Sequence, residues 1–261
     1  MTGKRTPLEK EWLKFTKQEQ AFAERHREKR ESRLNRTLEN KVPEKLQGTL
    51  DTAFAKAFAL IFDKGTGVIE KTYQKEKLEQ DYRINEYAAG VRQNRKALKA
   101  FSRKAGKAGT VNLLMSGVSG VGLGVLGIGL PDIVLFTGMM LKGIYETALN
   151  YGYTYESAQE RQFILRLIHG AVSYGEEFLE EEEALNHYIQ CGTFPTAETE
   201  ELINRAARGL SGELLYMKFL QGIPVVGAVG GAYDAVYMRQ IMTYAELKYR
   251  RRFLQKAFTA S

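Results

Sequence analysis

Apolar residues recur at helical spacing along most of this chain, and the places where that period starts, stops or thickens outline its elements. Thr6, Pro7 and Glu9 form an N-cap, a first-turn proline and a reciprocal capping glutamate, so a helix is predicted to begin there. Leu8, Trp12, Phe15 and Phe22 continue the apolar stripe, which dissolves between His26 and Arg36 into a run with almost no apolar face. From Pro43, Leu46, Leu50, Phe54, Phe58 and Ile61 fall on one core-facing stripe that stops at Gly65 and Gly67. Residues 68–107 are polar, with Tyr73, Leu78, Tyr82, Ile84 and Tyr87 spaced along them, and read as one or two exposed helices.

The character changes at Val111. VNLLMSGVSGVGLGVLGIGL runs for 20 residues without a charge, about the length that spans a bilayer core. Six of those residues are glycine, and each glycine costs roughly 1 kcal/mol of helix propensity against alanine, which weakens the case for a spanning helix. Pro131 and Asp132 interrupt the run, and a second apolar helix follows, carrying Lys142 and Glu146 one turn apart. A related layout surrounds Pro224, so the two regions are expected to be glycine-rich helical hairpins related as a pseudo-repeat. Gly120 with Gly124, and Gly227 with Gly231, have the spacing that lets two helix backbones approach closely, in a membrane or in a packed core. The expected fold class is all-α, a multi-helix bundle, with a basic helical arm over residues 1–42 and a helical domain over 43–261.

At these segments the chain resembles a known family. GLPDIVLFTGMMLKGIYETALNYGY, ERQFILRLI, GIPVVGAVGGAYD and KYRRRFL occur in the order found in the EcsC family. The Pro131–Asp132 step, the Tyr151-Gly152-Tyr153 helix end, Arg161 and the stretch from Pro224 to Asp234 carry most of the likeness, over roughly residues 45–258. The resemblance implies a bacterial helical protein whose family is named from a gene beside an ABC transporter operon linked to secretion, with no established molecular activity. The arm over residues 1–42 lies outside it.

Charge and cysteine content narrow the class further. The net charge is +7 and the isoelectric point near 9.3, which favours an anionic partner. Cys191 is the only cysteine and no secretory signal peptide precedes the first helix, so a cytoplasmic address is expected. Arg92, Arg95, Lys96, Lys99, Arg103 and Lys104, together with Arg250, Arg251 and Arg252, form two basic stretches suited to an anionic membrane surface.

Several chemical motifs compete with simpler readings. Gly122, Gly124 and Gly127 spell a dinucleotide fingerprint, but helical sequence on both sides leaves no strand–turn–helix unit to hold it. Glu176, Glu180, Glu183 and His187 have a spacing that can present metal ligands, yet without a second ligand helix they read as a solvated acidic face or a dock for a basic helix. His26 sits in the charged arm, whereas His169 reads as a core or interface imidazole. Asp132, Lys142, Glu146 and Asp234 are the charges inside the apolar hairpins: either Asp132 caps its helix and Lys142 pairs locally with Glu146, or the four define a polar site between helices.

No nucleophile–base pair is visible, so the reading leans against an enzyme, and no cofactor or metal is expected. The expected function is a membrane-associated accessory protein, linked through the family to an ABC transporter or secretion process and attached at the inner face of the cell membrane. Its partners would be an anionic membrane surface or a membrane protein. A cytosolic helical carrier of a lipid-like apolar ligand is the alternative, and nucleic-acid binding ranks last.

Overall fold

A computed structural model describes residues 5–28, 44–62, 70, 74–92, 131–194, 198–220 and 232–259. Within them the chain is all helical: α1 (Pro7–Arg27), α2 (Glu44–Leu60), α3 (Lys75–Arg92), α4 (Pro131–Asn150), α5 (Ala158–Val172), α6 (Glu176–Cys191), α7 (Thr199–Leu220) and α8 (Ala232–Thr259). The glycine-rich run over residues 111–130 and the stretch over 221–231 lie outside the described residues, and with them Gly120, Gly124, Gly227, Gly231 and the pseudo-repeat.

Local chemistry sets the helix boundaries. Thr6 accepts from the backbone N–H of Glu9 at 3.2 Å while the Glu9 carboxylate accepts from Thr6 N–H at 2.7 Å, closing the capping box that the sequence predicts for α1. Ser157 caps α5 through the Glu160 N–H at 3.1 Å. At its far end α6 stops at Gly192, which adopts the left-handed conformation and donates its N–H to the Tyr188 carbonyl. Between α4 and α5 the chain turns at Gly152, whose φ of +81° favours glycine. The ring of Tyr82 from α3 lies so close that an added Cβ would meet it at 2.3 Å.

The core forms around α5 and α8. In α5 an unbroken run from Phe163 to Val172 is buried, and the helix packs on α6, α7 and α8. On α7, Gly209 permits the close approach to α5, since a Cβ there would meet Val172 at 2.8 Å. Helix α2 lies on α7 and α4, and α3 lies on α4. Phe54, Phe58 and Ile61 are buried on the α2 stripe as the periodicity predicts. α8 is 28 residues long, about 42 Å of helix, and touches α4, α5, α6 and α1.

Helix α1 buries the apolar stripe that its periodicity predicts, and the burial continues past it to His26. Phe15 and Phe22 are fully or almost fully buried, and the helix docks on α8 and α6. Its last turn is part of the core: the His26 imidazole stacks on Phe22 at 4.2 Å and on Tyr174 at 5.0 Å between ring centroids. The backbone joins as well, for Gly175 N–H donates to the His26 carbonyl at 2.8 Å. The sequence placed His26 among solvated charges; its aromatic partners lie some 150 residues downstream, which local periodicity cannot reveal.

Candidate functional site

The basic cluster near the C-terminus is the place to begin, because its side chains decide which surfaces of the molecule carry charge. Lys248 is completely buried on α8, where its ammonium donates to Glu182 at 2.7 Å, Asn186 at 2.9 Å and Glu19 at 3.1 Å. Arg250 is bound to Glu11 and donates to Gln18 at 2.9 Å, and Arg251 pairs with the second oxygen of Glu19. Arg252 donates to Glu160 at 2.7 Å, and Tyr249 donates to the same oxygen at 2.8 Å. The Arg252 guanidinium also lies 3.8 Å from the Tyr153 ring centroid and 4.6 Å from that of Phe163. Burial of this kind is tolerated because each cation meets a carboxylate, and Lys248, Arg250 and Arg252 meet further acceptors or aromatic faces as well.

Arg250, Arg251 and Arg252 are therefore not displayed on a basic membrane face. Arg250 is 5 % exposed, and the exposures of the Arg251 and Arg252 side chains are 19 % and 11 %. For Arg252 the reason is Glu160 of α5, and for Arg250 and Arg251 it is the stripe of α1 that docks against them. On α1, Glu11 and Glu19 stand on the same face as Phe15 and Phe22, so the face that reads as apolar carries two carboxylates into the contact with α8.

A second buried cluster lies between α5, α6 and α7. Glu181 is fully buried and accepts from Arg166 at 2.9 Å, while its other oxygen lies 3.0 Å from His169 Nδ1 and 3.5 Å from Arg205. Burial pushes its carboxyl up, but the His169 hydrogen bond and the Arg166 charge outweigh that and hold it below the usual carboxylate range. Glu182 behaves alike, held down against burial by the Lys248 charge and by hydrogen bonds from Lys248, Tyr244 and Asn186. The EEFLEEEE run is thus divided: Glu176, Glu177, Glu180 and Glu183 face solvent, whereas Glu181 and Glu182 serve the core. Glu181 falls three residues after Phe178 and four before Leu185, a core position that signals its burial. Among the described residues no group of three His, Cys, Asp or Glu is gathered as a metal site, and His187 is exposed.

The polar residues of the hairpins are only partly brought together. Lys142 and Glu146 face the same side of α4, and Glu146 is 8 % exposed. Burial pushes its carboxyl above the ordinary value while the Lys142 charge pulls the other way. Asp132 is the second residue of α4 and Asp234 the third of α8; their side chains lie outside the described residues. Arg92 ends α3, its side chain likewise outside, and Arg95, Lys96, Lys99, Arg103 and Lys104 all lie outside.

Turning Glu11 and Glu19 inward changes the outer face of α1. Lys10, Lys14, Lys17, Arg25 and Arg27 are exposed, with Arg5 just before the helix, against the exposed carboxylates Glu9, Glu24 and Glu28. At 100° per residue Lys10, Leu13, Lys14 and Lys17 share a stripe opposite the buried face. Beside it, a groove of about 580 Å³ runs between the start of α1 and the end of α8, lined by Trp12, Leu13, Gln190, Gln255 and Phe258 with Arg5, Glu9 and Arg251 at its edges. Trp12 and Phe258 meet edge to face at 5.3 Å. No described helix is long and apolar enough to cross a membrane.

Compared with known proteins, residues 8–254 match the model described as the EcsC protein family. That span reaches further toward the N-terminus than residues 45–258, on which the resemblance rests, and takes in α1. No curated protein and no solved structure matches the chain.

Proposed function

The chain belongs to the EcsC protein family, and on that premise we propose that it is a non-catalytic accessory protein attached peripherally to the anionic inner face of the cell membrane, in service of a transporter or secretion process. The observation that carries this reading is the sorting of charge on α1. Its carboxylates Glu11 and Glu19 are consumed by Arg250, Arg251 and Lys248 of α8, which leaves Lys10, Lys14 and Lys17 on the outer face without equal opposition. Each lysine near an anionic surface contributes about 1 kcal/mol of attraction, so the stripe supplies about 3 kcal/mol, to which the exposed Arg5, Arg25 and Arg27 of the same segment add. The attachment requires no membrane-spanning helix and no catalytic group.

Sedimentation with vesicles tests it. Protein is expected to pellet with phosphatidylglycerol-containing vesicles at low salt, to release in large part as salt rises, and to stay in the supernatant with phosphatidylcholine alone. The triple variant Lys10→Glu, Lys14→Glu, Lys17→Glu is expected to abolish binding at unchanged helicity. Indifference of the wild-type protein to anionic vesicles would overturn the reading and favour the cytosolic carrier of an apolar ligand.

A further inference from the structure

Apolar exposure is concentrated beside the basic stripe. Of the large hydrophobic residues exposed among the described ones, Leu13 at 39 % and Phe258 at 37 % both line the groove between α1 and α8, and Leu179 lies elsewhere. Trp12 joins them, half-buried, with its ring braced against Phe258. On the helical wheel Leu13 falls between Trp12 on the groove side and Lys10 and Lys17 on the other, so the groove and the lysine stripe form one continuous surface.

The rim is polar without being strongly charged. Arg251 is engaged by Glu19, and the Glu9 carboxylate is engaged by the Thr6 N–H, which leaves Arg5 as the cation at the mouth. Long-range attraction therefore belongs to the lysines, and the groove offers apolar and aromatic surface at short range. A second copy of the chain is a poor occupant, because a two-fold contact would set one lysine stripe against the other. A bilayer with anionic headgroups complements both halves of the surface.

We propose that Trp12, Leu13 and Phe258 seat in the headgroup–acyl boundary of an anionic phospholipid bilayer, with the lysine stripe of α1 lying along the headgroups. This rests on the peripheral-attachment reading above and adds a second signal to it. Electrostatic attachment alone fades over a Debye length of about 8 Å at physiological ionic strength, whereas side chains that leave water give a component that salt does not release. An indole suits the position, since its apolar ring and its N–H favour the boundary between acyl chains and water.

Trp12 is the only tryptophan in the chain, so its emission reports on this site alone. With phosphatidylglycerol-containing vesicles the emission is expected to shift to shorter wavelength and to be quenched by lipids brominated in the acyl chains. Phosphatidylcholine vesicles and soluble glycerophosphate should leave it unchanged. Leu13→Ser, at an exposed position, and separately Phe258→Ser, are expected to keep low-salt sedimentation but lose the fraction that resists high salt, with circular dichroism confirming the fold. Sedimentation with unaltered Trp12 emission would overturn the seating and spare the parent reading; absence of sedimentation would overturn both. An equal shift with glycerophosphate or with a soluble acidic protein would also overturn the seating.

Discussion

Lys248 is a cation with no exposure, and its three acceptors come from two other helices, so its removal leaves buried acceptors behind. Lys248→Met is expected to cost about 3 kcal/mol, read as a lower urea midpoint, because breaking one partner of a buried pair strands the other. Adding Glu182→Gln should recover part of that loss by removing the stranded charge. The carboxylates also predict opposite pH behaviour. Glu181 and Glu182 have folded pKa values below the ordinary one, so the stability they supply is present at neutral pH and lost as pH falls through their lowered values. Glu146 is raised, so its contribution is complete in acid and lost as pH rises through its folded value. Glu146→Gln is therefore expected to raise the melting temperature at pH 7 and leave it nearly unchanged below pH 4, whereas Glu182→Gln should lower it at pH 7 and flatten the acid limb. Equal responses of the two variants across that range would contradict the assignment.

At the scale of the element, what could be read in advance depended on how local the deciding interactions are. The capping box of α1 needs only residues 6–9, and it stands where the sequence puts it. Thr6→Ala is expected to cost about 1 kcal/mol. The stripe of α2 was equally legible, since periodicity alone orients Leu50, Phe54 and Phe58. The burial of α1's final turn was not, because Tyr174 comes from the turn between α5 and α6, Phe178 from α6 and Gln240 from α8, and only the fold brings them to His26. The Tyr151-Gly152-Tyr153 helix end shows the intermediate case: the glycine signals a turn, but the Tyr82 ring that closes over it belongs to α3. Gly152→Ala meets both a positive φ and that ring, so it should destabilise by more than the ordinary glycine-to-alanine strain of about 1 kcal/mol, measured as a drop in melting temperature.

For the whole molecule the same sign of charge has two fates, and sequence clustering misidentified which cations face out. Arg250, Arg251 and Arg252 are adjacent and conspicuous, yet three carboxylates from α1 and α5 draw them inward. Lys10, Lys14 and Lys17 are interspersed with glutamates and look neutral until the structure withdraws Glu11 and Glu19 from the surface. Reading the outer charge of α1 required knowing its inner face, and Glu11 and Glu19 at core spacing were the available clue.

This division yields a double dissociation between stability and surface attachment. Arg252→Met removes a buried cation from Glu160 and from the rings of Tyr153 and Phe163, so it is expected to cost about 3 kcal/mol. Below its unfolding transition that variant should still bind anionic vesicles with wild-type salt dependence, because its guanidinium contributes little to the outer field. The α1 lysine triple variant should do the reverse, keeping its unfolding free energy from urea titration within about 0.5 kcal/mol per exposed site while losing the vesicles. The two measurements share one protein and two readouts. If Arg252→Met weakened vesicle binding as strongly as the lysine variant while remaining folded, the inward arginines would belong to the attachment surface after all, and the sorting of charge between the two faces of α1 would no longer explain it.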